Sequence, residues 1–295
     1  MRNPLLVLFF VCMVQSVAAK ISAAEKDALI VLYKHTKGAN WTTSWDMEKS
    51  VTTWKGVHIE NESVVGLSLM NNNLEGTLPE AIGDLKKLKV LNLAFNTLQG
   101  PLPNRLLELK NLTVLRLGKN RFTGTLPKEI GKLKKLTILD LYSNALEGSL
   151  PESLGSIRGL KVISISDNKF SGTIPETLGN LKHLERLELR GNNIEGSIPK
   201  NLARLRKLKM LVLNENLLTG TLPVAVFELP ELEILQLQGN HLNKVQIGNM
   251  ALRDSDLVLF DYEDSSSKID KKNVRSLFKY SDTRTADTKF EDDND

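Results

Sequence analysis

The side chains best suited to acid–base or metal chemistry are few in this sequence and badly placed for it. His35, His58, His183 and His241 lie far apart, and none has a second ligand at metal spacing or a nucleophile beside it. No nucleophile elbow, Gly-rich phosphate loop or zinc spacing occurs. Two carboxylates come closer to a reaction geometry. Asp140 and Glu188 stand two periods apart in a 24-residue repetition, about 10 Å if each period adds one strand, which is near the separation used by inverting glycosidases. Without a cleft that spacing does no chemistry, so no catalytic residue, metal or cofactor is assigned and no enzyme is expected.

The frame carrying these residues is periodic. Leu-x-x-Leu-x-Leu-x-x-Asn-x-Leu recurs eight times at 24-residue intervals, marked by Asn72, Asn96, Asn120, Asn144, Asn168, Asn192, Asn216 and Asn240. A fixed period of this length specifies a stacked solenoid. With repeats counted from Val64, Leu88, Leu112, Leu136, Leu160, Leu184, Leu208 and Leu232, positions four and six are apolar and predict a short strand with one buried face. Stacking pairs these strands in parallel. Each asparagine follows its strand, where a carboxamide bonds backbone groups of its own and the neighbouring turn.

A second signature follows: Gly-Thr-Leu-Pro (Gly76–Pro79, Gly124–Pro127, Gly220–Pro223), Gly-Pro-Leu-Pro (Gly100–Pro103), Gly-Ser-Leu-Pro (Gly148–Pro151), Gly-Thr-Ile-Pro (Gly172–Pro175) and Gly-Ser-Ile-Pro (Gly196–Pro199). Glycine permits a sharp bend and proline opens a short helical turn. Joined, the two signatures resemble the plant-type leucine-rich repeat of receptor-like kinase ectodomains and polygalacturonase-inhibiting proteins. Seven full copies and part of an eighth carry the match, from Val64 to about Leu242. The resemblance implies an α/β solenoid: a right-handed superhelix with a concave parallel β-sheet and short helical or 3-10 turns on the convex side.

The ends fall outside the period. Residues 1–19 (Met1-Arg2, an apolar run from Leu5 to Val14, then Val17-Ala18-Ala19) read as a secretory signal peptide, too short to span a membrane. Residues 20–63 form an amino-terminal cap, with a capping box at Ser22-Ala23-Ala24-Glu25, a helical face of Leu29, Leu32, Tyr33 and Thr36, and Gly38 as its stop. Trp41, Trp45 and Trp54 are expected to cover the open end of the first repeat, since a terminal repeat exposes half its core. Thr52 to Ile59 resembles the family's cap motif Cys-x-Trp-x-Gly-Val-x-Cys, with Thr52 and Ile59 in place of the cysteines. The single cysteine, Cys12, lies in the leader, so packing rather than a disulfide must hold the ends. Repeats occupy 64–249, a closing segment 250–262, and a charged tail 263–295 whose composition predicts disorder.

Surface candidates follow from the frame. Positions five, seven and eight are read as solvent-facing on the concave sheet, and Phe95, Arg116, Asp140, Tyr142, Glu188 and Arg190 there have residue types that anchor protein interfaces. The net charge of +4 divides unevenly, +1 from Arg2, +7 over residues 20–249 and −4 over 250–295. Position twenty-three is basic in six successive repeats, making Lys110, Lys134, Arg158 and Lys182 candidates for an anion such as an acidic polysaccharide. Three sequons, Asn40-Trp41-Thr42, Asn61-Glu62-Ser63 and Asn111-Leu112-Thr113, mark glycosylation candidates at Asn40, Asn61 and Asn111.

The expectation is a secreted, extracellular, glycosylated binding protein. It recognises a protein or peptide, such as a cell-surface receptor or a secreted enzyme, through its concave face in recognition, defence or signalling. Two alternatives are an inhibitor of a cell-wall-degrading glycosidase and a matrix or adhesion protein holding anionic polysaccharide. Nucleic acid and a membrane span are not expected.

Overall fold

The computed structural model describes residues 21–243 and the strands Leu259–Asp261 and Ile269–Asp270. In each repeat after the first, positions three to five form a three-residue strand, as in Val114–Arg116 and Ile138–Asp140. The leucines at positions four and six point inward, and Leu115, Leu117, Leu139 and Leu141 are wholly buried. Because every copy has the same length, neighbours pair in parallel with like positions opposed: Val114↔Ile138, Leu115↔Leu139, Arg116↔Asp140. Among the described residues, eleven strands make this first sheet.

The sequence reading did not include a second sheet. Eight further strands, among them Arg121–Thr125, Ala145–Ser149 and Lys169–Thr173, pair in parallel along the flank that follows the asparagines. Their residues are mostly polar and exposed around one buried apolar position, Phe122 or Phe170, so hydrophobic periodicity does not reveal them. On the convex side lie 3-10 turns such as Glu80–Asp84, Asn104–Glu108 and Glu176–Asn180. The prolines before them, Pro79, Pro103 and Pro175, sit in extended conformation at the N-cap, one residue ahead of the turn.

Each asparagine joins adjacent coils. Asn96 donates from Nδ2 to the carbonyls of Leu69, Leu93 and Ala94, while its Oδ1 accepts from the amides of Asn72 and Leu74. Asn144, Asn192 and Asn240 repeat the donor set in their own coils. One side chain thus satisfies backbone groups that the turn takes away from any strand partner, which explains a buried amide where the rest of the core is leucine.

The cap begins with helix α1, Ala23–His35, whose capping box at Ser22 and Glu25 is present. Gly38 is not its stop. Thr36 is the C-cap, Lys37 takes the left-handed conformation, and Gly38 enters a 3-10 turn to Asn40. Trp41, Trp45 and Trp54 are buried. Trp45 stacks on Trp54 at 4.8 Å and meets Trp41 edge-on at 4.9 Å. Their indole N–H groups donate to the carbonyls of Thr36, Lys55 and Asp46, so the cluster is both apolar and satisfied. An antiparallel hairpin, Val57–Glu60 with Ser63–Ser68, carries the cap into the first repeat.

At the other end Leu259–Asp261 adds a parallel strand to Ile234–Gln236. Ile269–Asp270, within the stretch expected to be disordered, pairs antiparallel with that strand. The proposed leader and most of the tail lie outside the described residues. No helix among the described residues is long and apolar enough to cross a membrane.

Candidate binding face

The first sheet presents outward columns at positions three, five and seven, with the turn at position eight beside them. Position three is a column that the sequence reading overlooked: Val90, Val114, Ile138, Val162, Met210 and Ile234, interrupted by Arg186. Ile138, Val162 and Met210 remain half-buried on this face. The signal was available, because strand alternation places position three on the same face as position five.

Positions five and seven are less open than expected. Arg116 and Asp140 retain 5 % exposure, Tyr142 3 % and Glu188 4 %. Lateral packing is one cause. Parallel register sets like positions side by side at about 4.8 Å, and they bond or stack on one another. Ser164 donates to Glu188 Oε2 at 2.7 Å, and Arg186 pairs with the other Glu188 oxygen. The ring of Tyr142 lies over Gly118, so a Cβ built there would fall 2.3 Å from Cδ1. The buried Nη1 of Arg116 and Oδ1 of Asn214 find no hydrogen-bond partner in the described structure.

Phe95 and Arg190 are exposed as expected. Arg190 reaches Glu215 at 3.1 Å. Phe95, 37 % exposed, packs edge-on against Tyr142 with ring centroids 6.2 Å apart. Its φ is +58°, shared along the turn column with Lys119 at +56° and Ser143 at +53°. A bulky side chain in that region carries backbone strain, and here the strained residue also holds an aromatic ring in solvent.

The basic column lies on the edge where convex turns lead into the strands. Lys134, Arg158 and Lys182 are exposed. Lys134 donates to Ser156 Oγ at 3.0 Å, and Lys182 donates to the carbonyls of Gly179 and Arg204 at 3.3 Å each. Lys110 turns back on the carbonyl of Leu107. Partial burial, followed by the like charge of Lys132, pushes its ammonium pKa down. Upstream, Arg105 bonds Asp84 and Glu108. The Arg105 guanidinium holds the Asp84 carboxyl below its usual range, and Lys86, then Arg105, does the same to Glu108.

The sequons differ in setting. Asn40 is exposed in its 3-10 turn, and Asn61 is exposed at the hairpin tip with φ +47°. Asn111 is half-buried, donating to the carbonyl of Lys86 at 3.0 Å and accepting from Lys135 at 2.8 Å. No cluster of three metal-ligating side chains occurs among the described residues.

The sequence matches the leucine rich repeat family model over residues 62–122, 110–170, 134–194 and 196–242. The chain belongs to the leucine-rich-repeat family. It is similar to the LRR receptor-like serine/threonine-protein kinase ERECTA of Arabidopsis thaliana, 36% identical over 99 residues, which is 31% of this chain and 10% of ERECTA. Among solved structures, the PEPR1–AtPEP1 complex superposes with a TM-score of 0.69 at 31% identity, covering 74% of this chain and 32% of the other. The Arabidopsis receptor kinase HAESA, in complex with the peptide hormone IDA and the co-receptor SERK1, gives 0.58 at 36% identity, covering 60% and 29%. This leucine-rich-repeat chain therefore spans about a tenth of ERECTA and a third or less of the two receptor chains. The likeness supports a ligand-binding repeat protein of receptor-ectodomain type.

Proposed function

We propose that the protein is a secreted recognition module that holds a protein or peptide ligand across its concave sheet. The carrying observation is the Phe95–Tyr142 pair at one side of the sheet face together with the position-three stripe at the other. An exposed aromatic on a strained turn and a row of β-branched side chains spanning successive repeats flank the polar positions five and seven. A ligand laid across the strands would cover Ile138, Val162 and Phe95 together, and apolar burial would supply the affinity. The unpartnered atoms of Arg116 and Asn214 offer one polar donor and one polar acceptor beside that row. PEPR1 and HAESA were both solved as complexes, which supports extending this mode of use to the present chain.

The test is a screen of extracellular proteins and peptides against the immobilised protein, repeated with Ile138→Asp/Val162→Asp and with Phe95→Asn. Circular dichroism verifies that each variant is folded. The reading expects a ligand whose affinity falls at least about tenfold in both variants, the loss of one buried apolar contact. A ligand retained equally by folded variants overturns it.

A further inference from the structure

The structure gathers the basic column into something broader than a single row of lysines. Positions two, twenty-one, twenty-three and twenty-four lie together on the edge that leads into the first sheet. From Lys132 to Lys209 these sixteen positions carry ten Lys or Arg side chains, one histidine and one carboxylate. The cations are Lys132, Lys134, Lys135, Arg158, Lys161, Lys182, Arg204, Arg206, Lys207 and Lys209, and every one is exposed. The carboxylate, Glu185, pairs with Lys161 at 4.0 Å. Three others donate to neutral acceptors, Lys134 to Ser156, Lys135 to Asn111 and Lys182 to main-chain carbonyls, and among the described residues Glu185 is the only carboxylate paired with any of the ten. The formal charge of the edge is +9.

The opposite edge carries no such excess. Over the five repeats that the basic edge touches, positions eight, ten and twelve carry Glu147, Asp167, Glu195 and Glu215 against Lys119, Arg121 and Lys169, a net formal charge of −1. Lysines kept only for solubility have no reason to segregate, and mixed signs would serve that purpose better. Here the charge is sorted across the solenoid, and the like charges stand about 5 Å apart from one repeat to the next. Such a line interacts weakly with a point anion in water and strongly with an anion that repeats along its own length, because each contact releases counterions.

We propose that this edge binds a linear acidic polysaccharide, lying along the solenoid from the turn of Lys132 to the strand of Lys209. Polysaccharide is favoured over single-stranded nucleic acid by what separates the cations. Thr137, Ser156 and Asn180 provide hydroxyl and amide groups for sugar hydroxyls, and none of the sixteen positions is Phe, Tyr or Trp, the platforms on which unpaired bases stack. The site is separate from the concave ligand face, so the protein would take a macromolecular ligand while anchored to a polymer.

The test uses the full chain, produced without glycans, on immobilised polygalacturonate and on heparin, which separate uronate from sulfate recognition. The edge variant is Lys134→Gln/Arg158→Gln/Arg206→Gln/Lys207→Gln. The control, Lys119→Gln/Arg121→Gln/Lys128→Gln/Lys169→Gln, removes the same formal charge elsewhere, and unfolding midpoints verify both folds. The expected result is at least about tenfold weaker binding and a shallower salt dependence for the edge variant alone, on one or both polymers. Equal losses in the two variants would make bulk charge responsible and overturn the proposal. So would failure of the parent protein to bind either polymer at physiological salt, or tighter binding to oligothymidylate of equal charge. The concave variant Phe95→Asn, which adds no charge and lies away from the edge, retains polymer binding if the two sites are separate, whatever the fate of the ligand screen.

Discussion

Asn72 and Thr43 hold each other through two hydrogen bonds of opposite sense: the Thr43 amide donates to Asn72 Oδ1 at 2.6 Å, and Asn72 Nδ2 donates to the Thr43 carbonyl at 3.2 Å. In every later repeat the equivalent side chain reaches into the preceding coil. At the first repeat no such coil precedes it, and the tryptophan segment takes its place. The ladder of asparagines is thereby the fastening of the cap.

That relation makes Asn72→Leu a local lesion. Leaving the Thr43 amide and carbonyl unpaired should cost about 1–3 kcal/mol, concentrated at one end. All three tryptophans lie in the cap, so their fluorescence should change at lower denaturant than the circular dichroism of the repeats. Asn144→Leu, in the middle of the stack, should lower both transitions together. Coincident transitions in the Asn72 variant would contradict the fastening role.

Gly76 and Gly124 occupy the same turn in different repeats, both with positive φ, +122° and +76°. A Cβ at Gly76 would fall 2.1 Å from the His35 carbonyl at the end of α1, while the nearest atom at Gly124 is 3.7 Å away. Gly124→Ala should cost about 1–2 kcal/mol for the left-handed backbone. Gly76→Ala should cost that plus about 1–3 kcal/mol for displacing the helix end. Equal unfolding free energies for the two variants would refute the close approach.

Phe95→Asn exchanges a strained aromatic for a residue that tolerates φ near +58°. Relief of about 1–2 kcal/mol opposes the loss of about 0.5–1.5 kcal/mol of contact with Tyr142. Stability should move by less than about 1 kcal/mol, within the scatter of these two effects. Concave-face affinity should fall sharply. Large destabilisation, read by thermal melting, would mean that the ring serves packing instead.

Asp84 is held below its ordinary carboxylate range by Arg105. A depressed folded-state pKa contributes stability that is present above the unfolded pKa, near 4, and is lost as pH falls through the folded value. Asp84→Asn should therefore be less stable than the parent protein at pH 7 and equal to it in strong acid. The gap will be small because the pair is partly exposed. A gap that widens on acidification has the wrong sign for this linkage.

Legibility in the sequence followed the type of force. Leu115 and Leu117 announce themselves because apolar burial leaves a period, and Asn96 because an amide inside that period needs a backbone role. The strand Arg121–Thr125 leaves no such mark, since its stability is hydrogen bonding along the stack and only Phe122 faces inward. The burial of Tyr142 is illegible for a related reason: it depends on Gly118 in the preceding coil, 24 residues back, leaving room for the ring. Phe95 reads as an aromatic, but its strained backbone emerges only from the turn it occupies. The apolar column from Val90 to Val162 is written in the strand alternation, which sets position three on the same face as position five.

The bonds of the asparagine ladder span 22 or 27 residues between coils, as from Asn144 to Phe122 and Leu117. Those offsets are the same at every junction between repeats, so deleting residues 121–144 would leave Asn168 its Leu146 amide and give it the Leu117 carbonyl in place of that of Leu141, the same kinds of donor and acceptor it now meets. Reach along the solenoid is thus quantised. Such a molecule can lengthen or shorten only in whole coils, about 5 Å at a time. Each step would lengthen or shorten the charged edge by that amount, so the stretch of polymer it can span is set in whole coils.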